Sequence, residues 1–191
     1  MSRELIILAS ASPRRRELLA GLGVAFEVIT ADVPELDASS GLAPVELARE
    51  NARRKAAAVA ALHPARWVLG ADTIVTLDGR VFGKPASLDQ AREFLLALSG
   101  RTHQVVTACA LFQPDGAPAI FHDATRVTFQ PLTEETIARY LAKVHVLDKA
   151  GAYALQEQGD RLIARIEGSS ANVIGLPVER LGELLQSCGL I

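Results

Sequence analysis

Aromatic residues are scarce in this chain of 191 residues: six Phe, two Tyr and one Trp, 5% of the total. With a net charge of −2 as well, it has neither the stacking platforms nor the basic field of a nucleic-acid binder. Cysteine is rarer still. Cys109 and Cys188 lie among apolar neighbours without metal-ligand spacing, so both are expected to be free, buried thiols of a reducing compartment. The histidines, His63, His103, His122 and His145, are isolated from one another, which argues against a histidine metal cluster. No apolar run approaches the roughly 18 residues that span a bilayer. Arg3 and Glu4 precede too short an apolar run for a signal peptide. GxSxG, Walker A and GxGxxG patterns are absent too. The expectation is a soluble, cytoplasmic protein with no membrane or nucleic-acid partner. Its 49% hydrophobic and 22% charged residues are ordinary for a globular chain, and residues 1–191 read as a single domain.

The most informative stretch is Leu5–Leu19, LIILASASPRRRELL. Leu5–Ala9 has the length and β-branched content of a buried strand. Ser12 suits an N-cap and Pro13 the first helical position, so a helix begins there. Arg14, Arg15 and Arg16 then crowd the first turn, where the helix dipole already presents partial positive charge. That crowding is unfavourable unless something anionic binds. A strand, a small-residue turn and an arginine-rich helix start describe a phosphate site, with a solvated basic turn as the plainer alternative.

Farther along, Ala25–Thr30 reads as a second strand, and residues 31–44 as a long polar loop carrying Asp32, Glu35 and Asp37. Val45–Leu62 is helical, with Leu47, Asn51 and Lys55 on one face. Trp67–Leu77 reads as a strand interrupted at Gly70-Ala71-Asp72, and Asp78-Gly79 turns it back into Val81-Phe82. Ser87 caps a helix over 88–98. Thr102–Phe112 and Ala119–Phe129 form a long hairpin across Gln113-Pro114-Asp115-Gly116. Thr133 caps a further helix to Leu141, residues 148–153 are irregular, and two short strands flank Gly159-Asp160. Gly168-Ser169-Ser170 turns into the last helical region, and a final helix runs from Pro177 to about Cys188. Hairpins interspersed with helices predict a mixed sheet, in the α/β or α+β class.

Charged residues collect at the junctions. Asp72 inside an apolar run is expected at a bulge or strand end, where it serves either as a reactive carboxylate or as a turn aspartate. Lys84 follows a strand terminus in Phe82-Gly83-Lys84-Pro85, a position open to a ligand or to solvent alone. Asp148-Lys149-Ala150-Gly151-Ala152-Tyr153 pairs opposite charges beside small residues that let a backbone approach a ligand, or forms a surface ion pair. Cations and isolated carboxylates without a nucleophilic triad suit phosphate-ester chemistry. Cations neutralise a polyphosphate, while carboxylates hold a divalent metal or activate water.

Several ordered motifs then identify a resemblance over nearly the whole chain: Leu8-Ala9-Ser10-Ala11-Ser12-Pro13-Arg14-Arg15, Gly70-Ala71-Asp72-Thr73, Gly83-Lys84-Pro85, Ser99-Gly100-Arg101-Thr102-His103-Gln104-Val105 and Asp148-Lys149-Ala150-Gly151-Ala152-Tyr153. The sequence resembles the Maf (septum-formation, Maf-like) proteins, nucleoside triphosphate pyrophosphatases. The resemblance implies a twisted mixed sheet with flanking helices in two lobes around a central cleft. It implies hydrolysis between the α- and β-phosphates with a divalent cation, Mg or Mn. Asp72 would be the catalytic base, with Lys55 and Lys84 beside it, Ser12 and Arg14 on the triphosphate, and Glu35 with Asp72 on the metal. Lys55-Ala56-Ala57-Ala58-Val59-Ala60 fits the family's lysine pattern, while Leu47–Ala52 resembles part of it with Asn51 in the lysine's place. Pro34-Glu35 stands where the family often has Asp-Glu, leaving Glu35 as the carboxylate. Arg15, Thr73 and Gln156 match the subgroup resembling dTTP/UTP pyrophosphatases. The alternatives are a 7-methyl-GTP pyrophosphatase, whose subgroup has an aromatic residue in place of Arg15, and a non-catalytic nucleotide-sensing division regulator. Nucleotide-pool cleansing, a link to cell division and a homodimer are further implications of the family.

Overall fold

The computed structural model describes residues 4–114 and 116–191; residues 1–3 and Asp115, which the sequence pattern assigns to a turn, lie outside the described residues. A seven-stranded mixed sheet runs in the order β2-β1-β3-β5-β6-β7, with β4 also paired to β3. The expected first strand is β1 (Ile6–Leu8), fully buried and parallel to both β2 (Phe26–Val28) and β3 (Val68–Leu77). The remaining pairs are antiparallel: β4 (Arg80–Phe82) on β3, then β5 (Thr102–Phe112), β6 (Ala119–Phe129) and β7 (Ile163–Glu167) in succession. Both long hairpin strands carry the boundaries that the sequence predicts.

Strand β3 is not interrupted. Its pairing with β5 runs in regular register from Val68↔Phe112 to Thr76↔Gln104, with Asp72 opposite Ala108. Gly70 marks something other than a bulge. A Cβ there would sit 2.6 Å from the Ala52 carbonyl oxygen and 2.8 Å from Ala56 Cβ, so glycine lets helix α2 (Pro44–Ala60) lie directly on the strand. Near Gly159-Asp160 there is one strand, not two. Gln158 adopts a left-handed φ of 57° and leads into a 3-10 turn, Gly159–Arg161, so extended chain resumes only at β7.

Strand alternation sends neighbouring residues to opposite faces. On one face, Val68 and Ile74 of β3 with Val106, Ala108 and Ala110 of β5 pack against Ala48, Ala52, Ala56 and Val59 of α2. On the other, two apolar clusters lie side by side. Ile6, Leu8, Ala71, Cys109 and Leu111 meet Leu19 of α1 (Pro13–Gly21) and Leu181 and Leu185 of α6 (Val178–Ser187). Val75, Val105, Val127 and Phe129 meet Phe94, Leu95 and Leu98 of α3 (Leu88–Leu98), and Ile137 and Tyr140 of α4 (Glu134–Leu141). Thr73 and Thr107 fall between these clusters, where the two lobes join. Both cysteines are free, Cys109 buried and Cys188 half-buried. Among the described residues, no helix is long and apolar enough to cross a membrane.

The sheet creates its own gap. Along one edge of β3, pairing with β1 ends at Leu8↔Leu69 and pairing with β4 starts at Val75↔Phe82. The residues between, including Asp72 and Thr73, are the segment of that edge where the strand opens onto a cleft beside the N-terminus of α1.

Candidate active site

A cavity of about 450 Å³ occupies this gap, and Ser12, Arg14, Arg15, Glu35, Lys55, Asp72, Thr73, Lys84 and Gln156 all line it. Every site residue proposed from the sequence therefore reaches one place. Arg16 is exposed and lies outside that lining.

On the α2 face, carboxylates and ammonium groups alternate in a chain. Lys55 Nζ donates to Asp72 Oδ1 at 2.5 Å and to Glu35 Oε1 at 2.7 Å. Lys84 Nζ reaches both Glu35 oxygens, at 2.8 and 2.7 Å. Asp72 is buried, Lys55 mostly so, and Lys84 half-exposed. Burial opposes ionisation of Glu35, but the charges and hydrogen bonds of Lys55 and Lys84 outweigh it and bring the carboxyl down to about 2. The loop that carries Glu35 is fixed by a residue to which sequence reasoning gave no role of its own. Asn51, buried one turn before Lys55, accepts from Leu36 N at 2.8 Å and donates to Leu36 O at 2.9 Å. Its amide also donates to Asp72 Oδ2 at 3.3 Å. Asn51 and Lys55 thus hold one oxygen each of the same carboxylate, so both registers of the lysine pattern meet Asp72. The signal for Asn51 was its place on the Lys55 face. The Lys84 loop is tied down in turn, since Gly151 N donates to Gly83 O at 3.1 Å.

On the opposite face the chemistry changes. Arg15 Nε donates to Gly175 O at 2.9 Å, Nη1 to Ser10 Oγ at 3.3 Å and Nη2 to Thr73 Oγ1 at 3.0 Å. Burial lowers the Arg15 pKa from its usual value, with the Asp72 charge working the other way. Gly175 has a φ of +133°, and a Cβ on it would stand 3.5 Å from Thr73 Oγ1. Behind Thr73, Thr107 Oγ1 lies 2.9 Å away, and Thr107 donates to the carbonyl of Asn172 in α5 (Ser170–Ile174) at 2.8 Å. Thr107 and Asn172 were not singled out in the sequence. A threonine and an asparagine within otherwise apolar runs were the available signal.

Of the crowded arginines at the start of α1, Arg14 and Arg15 take separate partners within the chain. Ser12 caps the helix through a 3.4 Å bond from Arg15 N, and the side chains then disperse. Arg15 turns onto Gly175, Ser10 and Thr73. Arg14 lies at the rim, 3.8 Å from Asp148 and 4.0 Å from Glu157. The same two carboxylates hold Lys149, at 3.0 and 3.2 Å, and its buried ammonium also donates to the His145 carbonyl.

Glu35 and Asp72 converge on one cation position, which Lys55 fills. Among the described residues, no group of three or more His, Cys, Asp or Glu could hold a metal unaided. Two carboxylates suit a hard divalent ion that completes its shell with water and substrate phosphates, so the donor set fits Mg or Mn in that manner.

The solved structures this chain resembles include a Ham1 protein from Staphylococcus aureus, with a TM-score of 0.60 at 18% identity, covering 96% of this chain and 99% of that one. A HAM1 protein from Coxiella burnetii aligns with a TM-score of 0.56, also at 18% identity and covering 96% of this chain and 99% of that one. These likenesses concern the fold. In sequence, the chain is 47% identical over 184 residues to an Akkermansia muciniphila protein named dTTP/UTP pyrophosphatase, covering 96% of each. It is 43% identical over 192 residues to a Geobacter sulfurreducens protein of the same name, covering 100% of each. The Maf-like protein family model matches residues 5–188, which takes in every motif of the cleft, and the chain belongs to that family.

Proposed function

We propose that this chain hydrolyses dTTP and UTP to the monophosphate and pyrophosphate. The observation that carries the reading is the Asp72–Lys55–Glu35–Lys84 chain, set in a cleft beside a capped helix N-terminus. Each ammonium is already covered by carboxylate, so a polyphosphate enters by exchanging partners: its oxygens replace Glu35 on Lys84 and share Lys55. Ser12 and Arg14, which line the same cleft, would hold the triphosphate. Asp72, oriented by Lys55 on one oxygen and Asn51 on the other, retains lone pairs for a water molecule. That water adds through oxygen to phosphorus and gives its proton to Asp72, while the bridging α–β oxygen leaves with its electron pair. A Mg or Mn ion, held by Glu35 and Asp72, would supply charge neutralisation on the phosphates. Arg15, Thr73 and Gln156 would meet the base, in keeping with the names of the relatives.

The test is pyrophosphate release from dTTP, UTP, CTP and 7-methyl-GTP, each with Mg or Mn. Highest kcat/KM for dTTP and UTP is expected. Preference for 7-methyl-GTP would replace the substrate assignment, and silence across the panel with nucleotide still bound would favour a sensing role instead.

A further inference from the structure

The Thr73 face is joined to buried groups that the reaction does not touch. Asn172 is completely buried, and its backbone carbonyl accepts from Thr107 Oγ1. The backbone bonds that close α5, from Gly175 N and Leu176 N, both go to Ala171 O, so the Thr107 hydroxyl supplies the donor at Asn172. A hydroxyl carries one proton. With that proton committed to Asn172, Thr107 faces Thr73 Oγ1 as an acceptor, and Thr73 is the donor of the 2.9 Å bond between them. One lone pair of Thr73 takes Arg15 Nη2. What Thr73 still presents to the cavity is a lone pair, hence an acceptor with no proton to offer.

The far end of this relay is locked. The Asn172 amide donates to Val105 O and to Thr125 Oγ1, both at 3.0 Å, and Thr125 donates to Ser169 O at 3.1 Å. Thr107, Thr125 and Asn172 are all 0% exposed, so solvent does not reach the groups that set the direction. Reversing the chain would leave the Asn172 carbonyl without its donor, at a cost of roughly a tenfold or greater population factor.

We infer that Thr107 and Asn172 are positioning residues for base selection, holding Thr73 as an acceptor so that the cleft favours pyrimidines with a proton on N3. Uracil and thymine offer that proton between two carbonyls. Cytosine has a lone pair at N3 and an amino group at position 4. An acceptor at Thr73 beside further Nη protons of Arg15 matches the first pattern and opposes the second. The inference rests on the hydrolase reading in bringing the base to this face, and it deepens that reading by naming what distinguishes uracil from cytosine.

The experiment compares UTP with CTP on the full chain, as kcat/KM for pyrophosphate release and as calorimetric affinity. The wild type is set beside Thr107→Val and Thr107→Ser. Valine keeps the shape and frees the Thr73 proton to turn into the cavity, so the UTP:CTP ratio should fall about tenfold. Serine keeps the hydroxyl and should keep the ratio. A third arm uses the wild type with a uridine triphosphate analogue whose N3–H is replaced by C–H; it should bind about tenfold more weakly than UTP. That arm decides the matter even where the valine variant does not fold. An unchanged ratio in folded Thr107→Val, an equal loss in Thr107→Ser, or an analogue that binds like UTP overturns the inference. Preference for UTP in binding, lost in the valine variant and without pyrophosphate release, supports the relay and overturns the hydrolase reading alone.

Discussion

Asp72 and Thr73 are consecutive residues, yet they stand in two different kinds of chemistry. Asp72 faces α2 and is held by a lysine and an asparagine within a chain of full charges. Thr73 faces the other way and joins a guanidinium whose three partners are a carbonyl and two hydroxyls. The alternation of a single uninterrupted strand separates them. Charges paired with charges can exchange partners when an anionic ligand arrives, because the ligand offers the same kind of contact. A charge held by directed dipoles in a buried seam has no such equivalent, so it stays where it is and can discriminate. One half of the cleft is built to be displaced and the other to be rigid.

The comparison breaks most visibly at Asp72→Asn. The amide keeps the volume and can still accept from Lys55, but it cannot take a proton from water. Turnover should fall by at least about 10³-fold while nucleotide affinity changes only a few-fold. Single-turnover kinetics with parallel calorimetry would check this, and near-normal turnover would remove Asp72 as the base.

On the Thr73 face the matching change is Arg15→Lys. A point-charge ammonium cannot reproduce three bonds directed to Gly175, Ser10 and Thr73. The expected result is a loss of about 10- to 100-fold in kcat/KM for dTTP, with a smaller loss for triphosphates that are poor substrates. Equal losses for every triphosphate would place Arg15 with the phosphate machinery instead.

Gly70→Ala acts on the first half without touching a charged group. Its Cβ would meet the backbone oxygen of Ala52 at 2.6 Å, so α2 must move off β3 and carry Lys55 and Asn51 from Asp72. Overpacking of this kind costs about 1–3 kcal/mol. Thermal melting should register that, and kcat should drop several-fold while the UTP:CTP ratio stays put.

How much of this was legible depends on range. Strand and helix limits such as 102–112, 119–129 and 88–98 follow from local pattern, turn residues and the Ser87 cap. The supposed break at Gly70-Ala71-Asp72 misled because glycine and a carboxylate within an apolar run look locally like a bulge. The cause, the close approach of Ala52 and Ala56, is a tertiary fact. The charged cleft residues could be named because lysine and carboxylate within short motifs declare their chemistry. Asn51, Thr107 and Asn172 could not, since their part depends on which carbonyl or hydroxyl lies opposite, 65 residues away in sequence for the Thr107 bond to Asn172.

The effect with the least bearing on turnover concerns acid, and it sharpens the contrast between the two halves. Glu35 keeps its charge until about pH 2, so the stability it contributes is full above the ordinary carboxyl range and is lost as pH falls through that value. The other side yields earlier. His103 packs edge-on against Phe129 and Tyr153, and its Nε2 lies 2.8 Å from the Tyr153 hydroxyl. Burial lowers its pKa from 6.5 to about 4. Between those values the unfolded chain binds a proton that the folded chain refuses. Stability is therefore full above the upper value and declines as pH falls towards the lower, by on the order of 3 kcal/mol. Because Tyr153 and Val105 also line the cavity, mild acid should loosen the Thr73 side while Glu35 keeps its charge. Melting temperature measured from pH 7 to 4 should fall, and His103→Gln should flatten that slope even where it lowers stability at neutral pH. An unaltered slope in the variant would assign the acid sensitivity to another group.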